Sequence, residues 1–196
     1  MTYNLPVSVE INEKEYSVRT DYRVMLDICA ALSDPELNQE EKVVVCLELF
    51  YLSPEKIPPE HWEDALKKCF WFLSCGEPNT EKNAPRLVDW EQDFQYIVAP
   101  VNRVAGREIR EIPYDRVTNK GGLHWWTFLS YYYEIGGDCV FAQIVRIRDI
   151  LARGKKLDKQ DAEWYRKNRH LVVLKKQYTQ EEDATIRAWL PGRKEP

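Results

Sequence analysis

The chain has 196 residues, of which 44% are hydrophobic and 31% are charged, and its formal net charge is -4. This length can bury one substantial core, and no stretch approaches the roughly 20 consecutive apolar residues that cross a membrane. The length predicts a single compact domain. Residues 1–6 lack a basic segment followed by a hydrophobic one, so we expect a cytoplasmic protein.

Positions 7–11 and 16–19 alternate between apolar and polar residues, on either side of the polar bend at 12–15. This pattern predicts a β-hairpin. Because a two-stranded hairpin alone is marginally stable in water, we expect residues 1–20 to pack on a helical domain formed by residues 21–196.

From residue 21 onwards the apolar residues recur at the period of α-helices, and three helices are predicted before residue 77. The turn Ser33-Asp34-Pro35 ends the first, since the residue before a proline avoids the helical conformation. Asn38 and Glu41 have the spacing of a capping box at the start of the second, and Pro58-Pro59 begins the third. The predicted inner faces are Met25, Ile28, Cys29 and Leu32, then Val43, Cys46, Leu47 and Phe50, and finally Trp62, Ala65, Leu66, Cys69 and Leu73.

Residues 77–87 contain few apolar side chains and predict a surface loop. A fourth helix is predicted from about Val88 or Asp89 to Ala99. It stops or kinks at Pro100, because proline has no N–H to donate within a helix. The following stretch is predicted to be irregular, with a strand-like part at 109–114 and a flexible turn at 119–122.

The run Leu123-His124-Trp125-Trp126-Thr127-Phe128 begins the most apolar of the predicted helices. At helical spacing, Trp125, Phe128, Leu129 and Tyr132 form one apolar stripe, which Trp126 and Tyr133 extend. Such a helix must be covered, either in the core of the domain or against a partner, since Trp and Tyr dominate cores and interfaces alike. The sequence leaves both alternatives open.

Further helices follow the glycines at 136 and 137. One is predicted over residues 159–177, and a short one ends at Leu190. The helix before them has the apolar positions Val140, Ile144, Ile147 and Leu151. The sequence therefore predicts a mainly α fold, with about six to eight helices and a small N-terminal β-hairpin.

Charge is distributed unevenly along the chain. Residues 1–99 carry 19 acidic and 9 basic side chains, a balance of -10, whereas residues 100–196 carry 13 acidic and 19 basic ones, a balance of +6. The basic excess is concentrated in the predicted C-terminal helices of residues 138–190, where it could attract nucleic acid or an acidic protein. A solvated helix face is the alternative interpretation.

The cysteines predict neither a disulfide nor a metal site. There are five of them, mostly at apolar helical positions, which is typical of core thiols in a reducing compartment. His61, Cys69 and Cys75 are close in sequence, but they lack the tight ligand pairs of structural zinc sites.

No group of residues predicts catalysis or a cofactor, so we expect a protein that is not an enzyme. Asp89, Glu91 and Asp93 could suggest a hard-cation site, but acidic residues in a first turn also stabilise the helix dipole. His124 could be a base, but its apolar neighbours favour a capping or hydrogen-bonding role.

Six blocks of sequence, in this order, carry a resemblance to a known family: Asp21-Tyr22-Arg23-Val24, Asp34-Pro35-Glu36-Leu37, Leu49-Phe50-Tyr51, Trp71-Phe72-Leu73-Ser74-Cys75-Gly76, Asp89-Trp90-Glu91-Gln92-Asp93-Phe94-Gln95-Tyr96-Ile97 and Leu123-His124-Trp125-Trp126-Thr127-Phe128. With them, roughly residues 20–175 resemble the bacteriophage "gene product fifteen" family, found in tail-gene clusters of long-tailed phages and prophages of Gram-positive bacteria. The resemblance implies a protein of tail morphogenesis, encoded near the tape-measure gene, and supplies no catalytic or binding residues to carry over.

Two functions follow as expectations. The first is a tail assembly chaperone that binds the tape-measure protein in the cytoplasm of the bacterial host, with the tail tube protein as a second candidate partner. The second is a nucleic-acid-binding phage regulator that uses the basic C-terminal helices; the negative net charge disfavours it. Neither function involves a membrane. The sequence does not decide whether the chain forms a homo-oligomer. The predicted partner-binding residues are Trp125, Trp126, Phe128, Tyr131, Tyr133, Trp71, Phe72, Lys155, Lys156, Arg166 and Lys167.

Overall fold

The computed structural model describes residues 4–77 and 85–175. Within them the protein is mainly helical, as predicted, and none of the helices has the length and apolar composition needed to cross a membrane. The predicted terminal helix ending at Leu190 lies outside the described residues. The elements are β1 (Ser8–Ile11), β2 (Lys14–Ser17), α1 (Tyr22–Ser33), α2 (Gln39–Phe50), α3 (Trp62–Leu73), α4 (Trp90–Ala105), β3 (Tyr114–Asp115), β4 (Lys120–Gly121), α5 (Trp125–Tyr133), α6 (Val140–Ala152), α7 (Lys159–Lys167) and α8 (Arg169–Val172).

β1 and β2 form the predicted N-terminal hairpin around a two-residue turn. Asn12 and Glu13 have φ values of 47° and 63°, as a type I′ turn requires. Val9 lies opposite Tyr16, and both side chains are buried. The far edge of β2 is also paired, because the N–H of Leu52 donates to the carbonyl of Ser17 over 3.1 Å. The hairpin is thus attached to the chain that follows α2.

The first three helices follow the sequence pattern closely. α1 begins after the N-cap Asp21, and α2 begins with the predicted capping box of Asn38 and Glu41. Trp62 departs from its predicted inward position and is exposed. It is the first residue of α3, and its indole N–H donates to the carbonyl of Ile57 over 3.2 Å, which directs the ring along the preceding loop.

α4 continues through Pro100 to Ala105, which corrects the predicted end of this helix at Ala99. A proline inside a helix costs about 3 kcal/mol. However, Pro100 and its neighbours Val98 and Val101 are buried, and removal of their apolar surface from water offsets that cost. The helix ends instead at Gly106, which has a left-handed φ of 67°.

The stretch after α4 is more regular than predicted. A 3-10 turn at Ile109–Glu111 buries Ile109, and β3 then pairs with β4. Asp115 holds the turn between the two strands, because its carboxylate accepts hydrogen bonds from the N–H of Val117 (2.9 Å) and the hydroxyl of Thr118 (2.6 Å). The predicted flexible turn at 119–122 is therefore partly a strand.

The starts of α1 and α5 are joined by backbone hydrogen bonds. The N–H of Tyr22 donates to the carbonyl of Leu123 over 2.9 Å, and the N–H of Trp125 donates to the carbonyl of Thr20 over 2.7 Å. Asp21 reinforces this junction, since its carboxylate accepts the N–H of Leu123 over 2.8 Å. Gly122 is required here: its φ is 82°, and an added Cβ would lie 2.3 Å from Oδ2 of Asp21.

The C-terminal helices differ from the predicted pattern in two ways. The helix predicted over residues 159–177 is divided into α7 and α8, which meet at Asn168. On α6, Val140 and Leu151 are exposed, while the buried side chains are Phe141, Ile144, Ile147 and Arg148. The buried face of α6 is therefore rotated towards Arg148.

Candidate protein-binding surface

His124 fixes the start of α5. Its Nδ1 accepts the N–H of Trp126 over 3.1 Å, and its Nε2 lies 2.9 Å from the carbonyl oxygen of Pro6. Because Nδ1 is an acceptor, the proton of the neutral ring is on Nε2 and is donated to Pro6. Burial lowers the pKa of His124, although the hydrogen bond to Pro6 acts in the opposite direction. The predicted capping role of His124 is confirmed.

The two adjacent tryptophans both bind the end of α3. The indole N–H of Trp125 donates to the carbonyl of Leu73 over 3.0 Å, and that of Trp126 donates to the carbonyl of Phe72 over 2.9 Å. Carbonyls in the last turn of a helix have no i+4 partner. The bond from Trp125 supplies one for Leu73, while the carbonyl of Phe72 also accepts the N–H of Cys75 over 3.2 Å. The pair therefore holds α5 against α3.

Trp125 belongs to the core. It is 2% exposed and stacks on Phe128 with ring centroids 5.4 Å apart, and Phe128 in turn stacks on Tyr22 at 4.9 Å. Phe72 is also fully buried. Trp125, Phe128 and Phe72 were predicted partner contacts, but in this fold they present almost no surface to a partner, because they join α1, α3 and α5.

Trp126 is half-buried and continues to the surface through Trp71. The two rings meet edge to face, with centroids 5.5 Å apart, and the side chain of Trp71 is 39% exposed. Trp126 also lies on the same face of α5 as Tyr133, which is 74% exposed. We call Trp71, Trp126 and Tyr133 the aromatic surface. Tyr131, also predicted, is half-buried against the core.

Four basic residues of the predicted contact set lie on the surface. Lys155 and Lys156 follow α6, and Arg166 and Lys167 end α7. Lys167 is paired with Glu163 over 2.9 Å, whereas the other three have no ion pair within residues 4–77 and 85–175. The structure therefore leaves Lys155, Lys156 and Arg166 available to an acidic partner, and places none of the four in contact with the aromatic surface.

Arg148 and Asp93 form a buried ion pair that is not predicted from the sequence. Asp93 is one of three acidic residues considered as cation ligands, and its carboxylate instead accepts from Arg148 and from the N–H of Asp89. Asp89 is the N-cap of α4. A possible signal in the sequence was the spacing of Arg148 from Phe141 and Ile144, which puts a charged residue on an apolar helix face.

Four of the five cysteine thiols lie in apolar surroundings and are protonated near neutral pH. Burial raises the pKa of Cys29, Cys46 and Cys75 to about 11 and also raises that of Cys69, so these four are neutral near pH 7. Across the described part of the chain, no group of three or more His, Cys, Asp or Glu side chains could hold a metal ion. His61 contacts Asn12, with its Nδ1 2.7 Å from the amide nitrogen.

The sequence model of a protein family described as "Bacteriophage Gp15 protein" matches residues 1–174. No curated protein and no solved structure shows significant similarity to the chain.

Proposed function

The chain belongs to the bacteriophage Gp15 family, and on this basis we propose that it acts in phage tail morphogenesis as a non-enzymatic assembly chaperone. Its proposed partner is the tape-measure protein, which it would bind in the cytoplasm of the bacterial host before the tail tube polymerises. The observation that carries the proposal is the aromatic surface formed by Trp71, Trp126 and Tyr133.

The aromatic surface has the properties of a protein-binding site. Trp and Tyr are the residues that most often dominate binding energy at interfaces. Trp126 is held by its hydrogen bond to Phe72 and by the edge of Trp71, so little conformational freedom is lost when a partner binds. A preorganised aromatic site on the end of α3 and the face of α5 supports binding of another apolar helix.

A tape-measure protein is a long, largely helical chain with apolar seams. Before the tube encloses it, exposed seams of this kind lead to aggregation. A protein that covers an apolar seam with aromatic side chains, and releases it when tube subunits arrive, would keep the chain competent for assembly. This task needs no catalytic group.

Three arginines of the basic region are already bonded within the protein, which weakens the nucleic-acid-binding alternative. Arg148 is buried, Arg146 donates to Asp161 over 2.6 Å, and Arg153 donates to Asp149 over 2.7 Å. Guanidinium groups already paired with carboxylates attract phosphates weakly. The net charge of -4 acts in the same direction.

Co-purification with the tape-measure protein encoded beside this chain tests the proposal. A double variant, Trp71→Ala with Tyr133→Ala, removes the exposed aromatic side chains, and Val117→Ala is the matched control because Val117 is 88% exposed at the tip between β3 and β4. We expect the unmodified protein and the control to retain the tape-measure protein and the double variant to lose it, with all three melting at similar temperatures. Equal retention by the double variant would refute the assigned surface, and no retention by the unmodified protein would refute the proposed partner.

A further inference from the structure

One edge of the N-terminal hairpin has no backbone partner among residues 4–77 and 85–175. The two-residue turn makes Ile11 and Lys14 a hydrogen-bonded pair, and alternate residues repeat this pattern along an antiparallel ladder. The hydrogen bond from the N–H of Val18 to the carbonyl of Val7, 3.0 Å long, fits the same alternation of bonded pairs. The backbone N–H and C=O groups of Ser8 and Glu10 therefore point away from β2, and no backbone group within the described residues pairs with them.

A groove runs between this edge and α3. Its volume is about 390 Å³, and it is lined by Ser8, Val9 and Glu10 on the strand side and by Lys67, Lys68 and Trp71 on the helix side. The opposite edge of the sheet is occupied, since Ser17 of β2 accepts from Leu52. Edge strands are normally blunted by proline, a bulge or cover. β1 itself contains neither a proline nor a bulge, and no described residue covers its groove.

From this geometry we propose that β1 accepts an extended acidic segment of a partner protein as an additional β-strand. An extended chain is the form of polypeptide that presents alternate N–H and C=O groups at the spacing of Ser8 and Glu10. The bound strand would lie in the groove between β1 and α3.

The charges of the groove define the partner's chemistry. Lys67 lies 2.9 Å from Glu63 and 3.2 Å from Asp64, but both pairs are on the surface, where such pairs contribute little and exchange readily. Lys68 has no ion pair with any described residue. Because strand side chains alternate between two faces, carboxylates at every second position would all face α3 and its two lysines. Neutral residues would alternate with them on the other face of the sheet, which Glu10 shares.

This site differs from the one proposed for tail assembly. A helix on the aromatic surface would use side chains of α3 and α5, whereas the strand would use backbone groups of β1. Trp71 borders both, so a partner could occupy the two sites together. The two proposals can fail separately, since loss of the β1 edge would leave Trp126 and Tyr133 unchanged.

Hydrogen exchange of the free protein is the first test, because it shows whether the edge is open. We expect the amides of Ser8 and Glu10 to exchange freely while those of Val9 and Ile11, which are bonded to β2, are protected. Protection of all four amides in the monomer would mean that the edge is already covered by the chain itself, and would overturn the proposal.

The second test uses a short capped peptide of alternating threonine and glutamate. Binding is followed by the change in tryptophan fluorescence, to which Trp71 contributes, and by protection of the Ser8 and Glu10 amides. We expect the lysine counterpart of this peptide to bind at least about tenfold more weakly at low salt. A glutamate peptide with N-methylated backbone should not bind, since it cannot donate to the edge.

Variants of the protein complete the second test. Glu10→Pro removes the outward N–H without breaking a bond to β2, and Lys68→Glu reverses the charge of the helix side; each should lower peptide affinity about tenfold or more. Glu10→Gln keeps the backbone donor and is the control, with affinity at least equal to that of the unmodified protein. The proposal is wrong if the glutamate peptide fails to bind at millimolar concentration, or if the N-methylated peptide binds as well as its parent.

Discussion

Arg148 and Asp93 form a two-point ion pair in the protein interior, with Nη1 2.6 Å from Oδ2 and Nη2 3.0 Å from Oδ1. The remaining donors of Arg148 reach the carbonyls of Leu87, Leu171 and Val172 at 2.7 to 2.9 Å. All five N–H groups of the guanidinium therefore have acceptors. The pair joins α6 both to α4 and to the end of α8.

Removing one partner of this pair should strongly destabilise the protein. Arg148→Met leaves the carboxylate of Asp93 buried without its counter-ion, and we expect a loss of about 3 to 5 kcal/mol in the free energy of unfolding, measured by urea denaturation. Lys167→Met, which breaks the exposed pair with Glu163, is the control and should cost no more than about 1 kcal/mol. A double variant, Arg148→Met with Asp93→Leu, should recover part of the loss, because no buried charge remains. Wild-type stability of the single Arg148 variant would contradict this account.

Alanine variants of the two adjacent tryptophans should differ in their effects on stability and on partner binding. Trp125→Ala removes a buried indole and should lower the free energy of unfolding by about 3 to 5 kcal/mol. Trp126 is half-buried, so Trp126→Ala should lower the melting temperature less, yet reduce capture of the tape-measure protein more. If both variants unfold alike and their folded fractions bind normally, Trp126 has only a structural role.

His124 should make the start of α5 sensitive to acid. Its pKa in the folded protein is below the ordinary value of 6.5, so the unfolded chain takes up the proton first as the pH falls. Its stabilising contribution is therefore full above pH 6.5 and is lost as the pH falls from there through the lowered folded pKa, where a proton on Nδ1 removes the acceptor for Trp126. Melting temperatures of His124→Asn, which keeps a capping acceptor but does not titrate, should depend less on pH across this window. An identical pH dependence in the two proteins would assign the effect to other groups.

The exposed basic residues near the C-terminal helices should affect association rate if they meet an acidic partner surface. Charge reversal at Lys155, Lys156, Arg166 and Lys167 should then slow binding of the tape-measure protein and reduce its salt dependence without changing the fold. Stopped-flow association at two salt concentrations measures this. An unchanged association rate would identify these side chains as a solvated helix face. Binding of the unmodified protein to DNA at low salt would favour the nucleic-acid-binding regulator instead.

Local signals in the sequence specified much of the fold. The capping box of Asn38 and Glu41 and the alternation around the Asn12 turn depend on residues a few positions apart, and both are present in the structure. α4 was misjudged because proline disfavours a helix locally, while the burial of Pro100 and Val101 depends on distant elements. Tertiary packing decided that case.

The candidate surface was only partly predictable for a related reason. Helical spacing groups Trp125 and Trp126 with the same aromatic neighbours, but it does not say which side α3 covers. The position of α3 is fixed by the carbonyls of Phe72 and Leu73, which accept one indole N–H each. Trp126 consequently lies nearer the surface than Trp125. The burial of Arg148 is not predicted, because hydrophobic periodicity assigns charged residues to the surface. It does not detect that a carboxylate on another helix, here that of Asp93, can pair with the guanidinium.

The junction of Asp21 with Gly122 and Leu123 constrains how the protein can be made. A ribosome releases the N-terminal residues first, but the carboxylate of Asp21 and the amide of Tyr22 find their partners only after the chain has been synthesised past Trp125. A nascent chain that ends before Gly122 lacks the strand-like segment that closes α1. Contacts between positions this far apart in sequence form slowly, because the intervening loop must first be closed. The start of α1 therefore awaits α5, and Tyr22 lacks its stacking partner Phe128 until translation is well advanced.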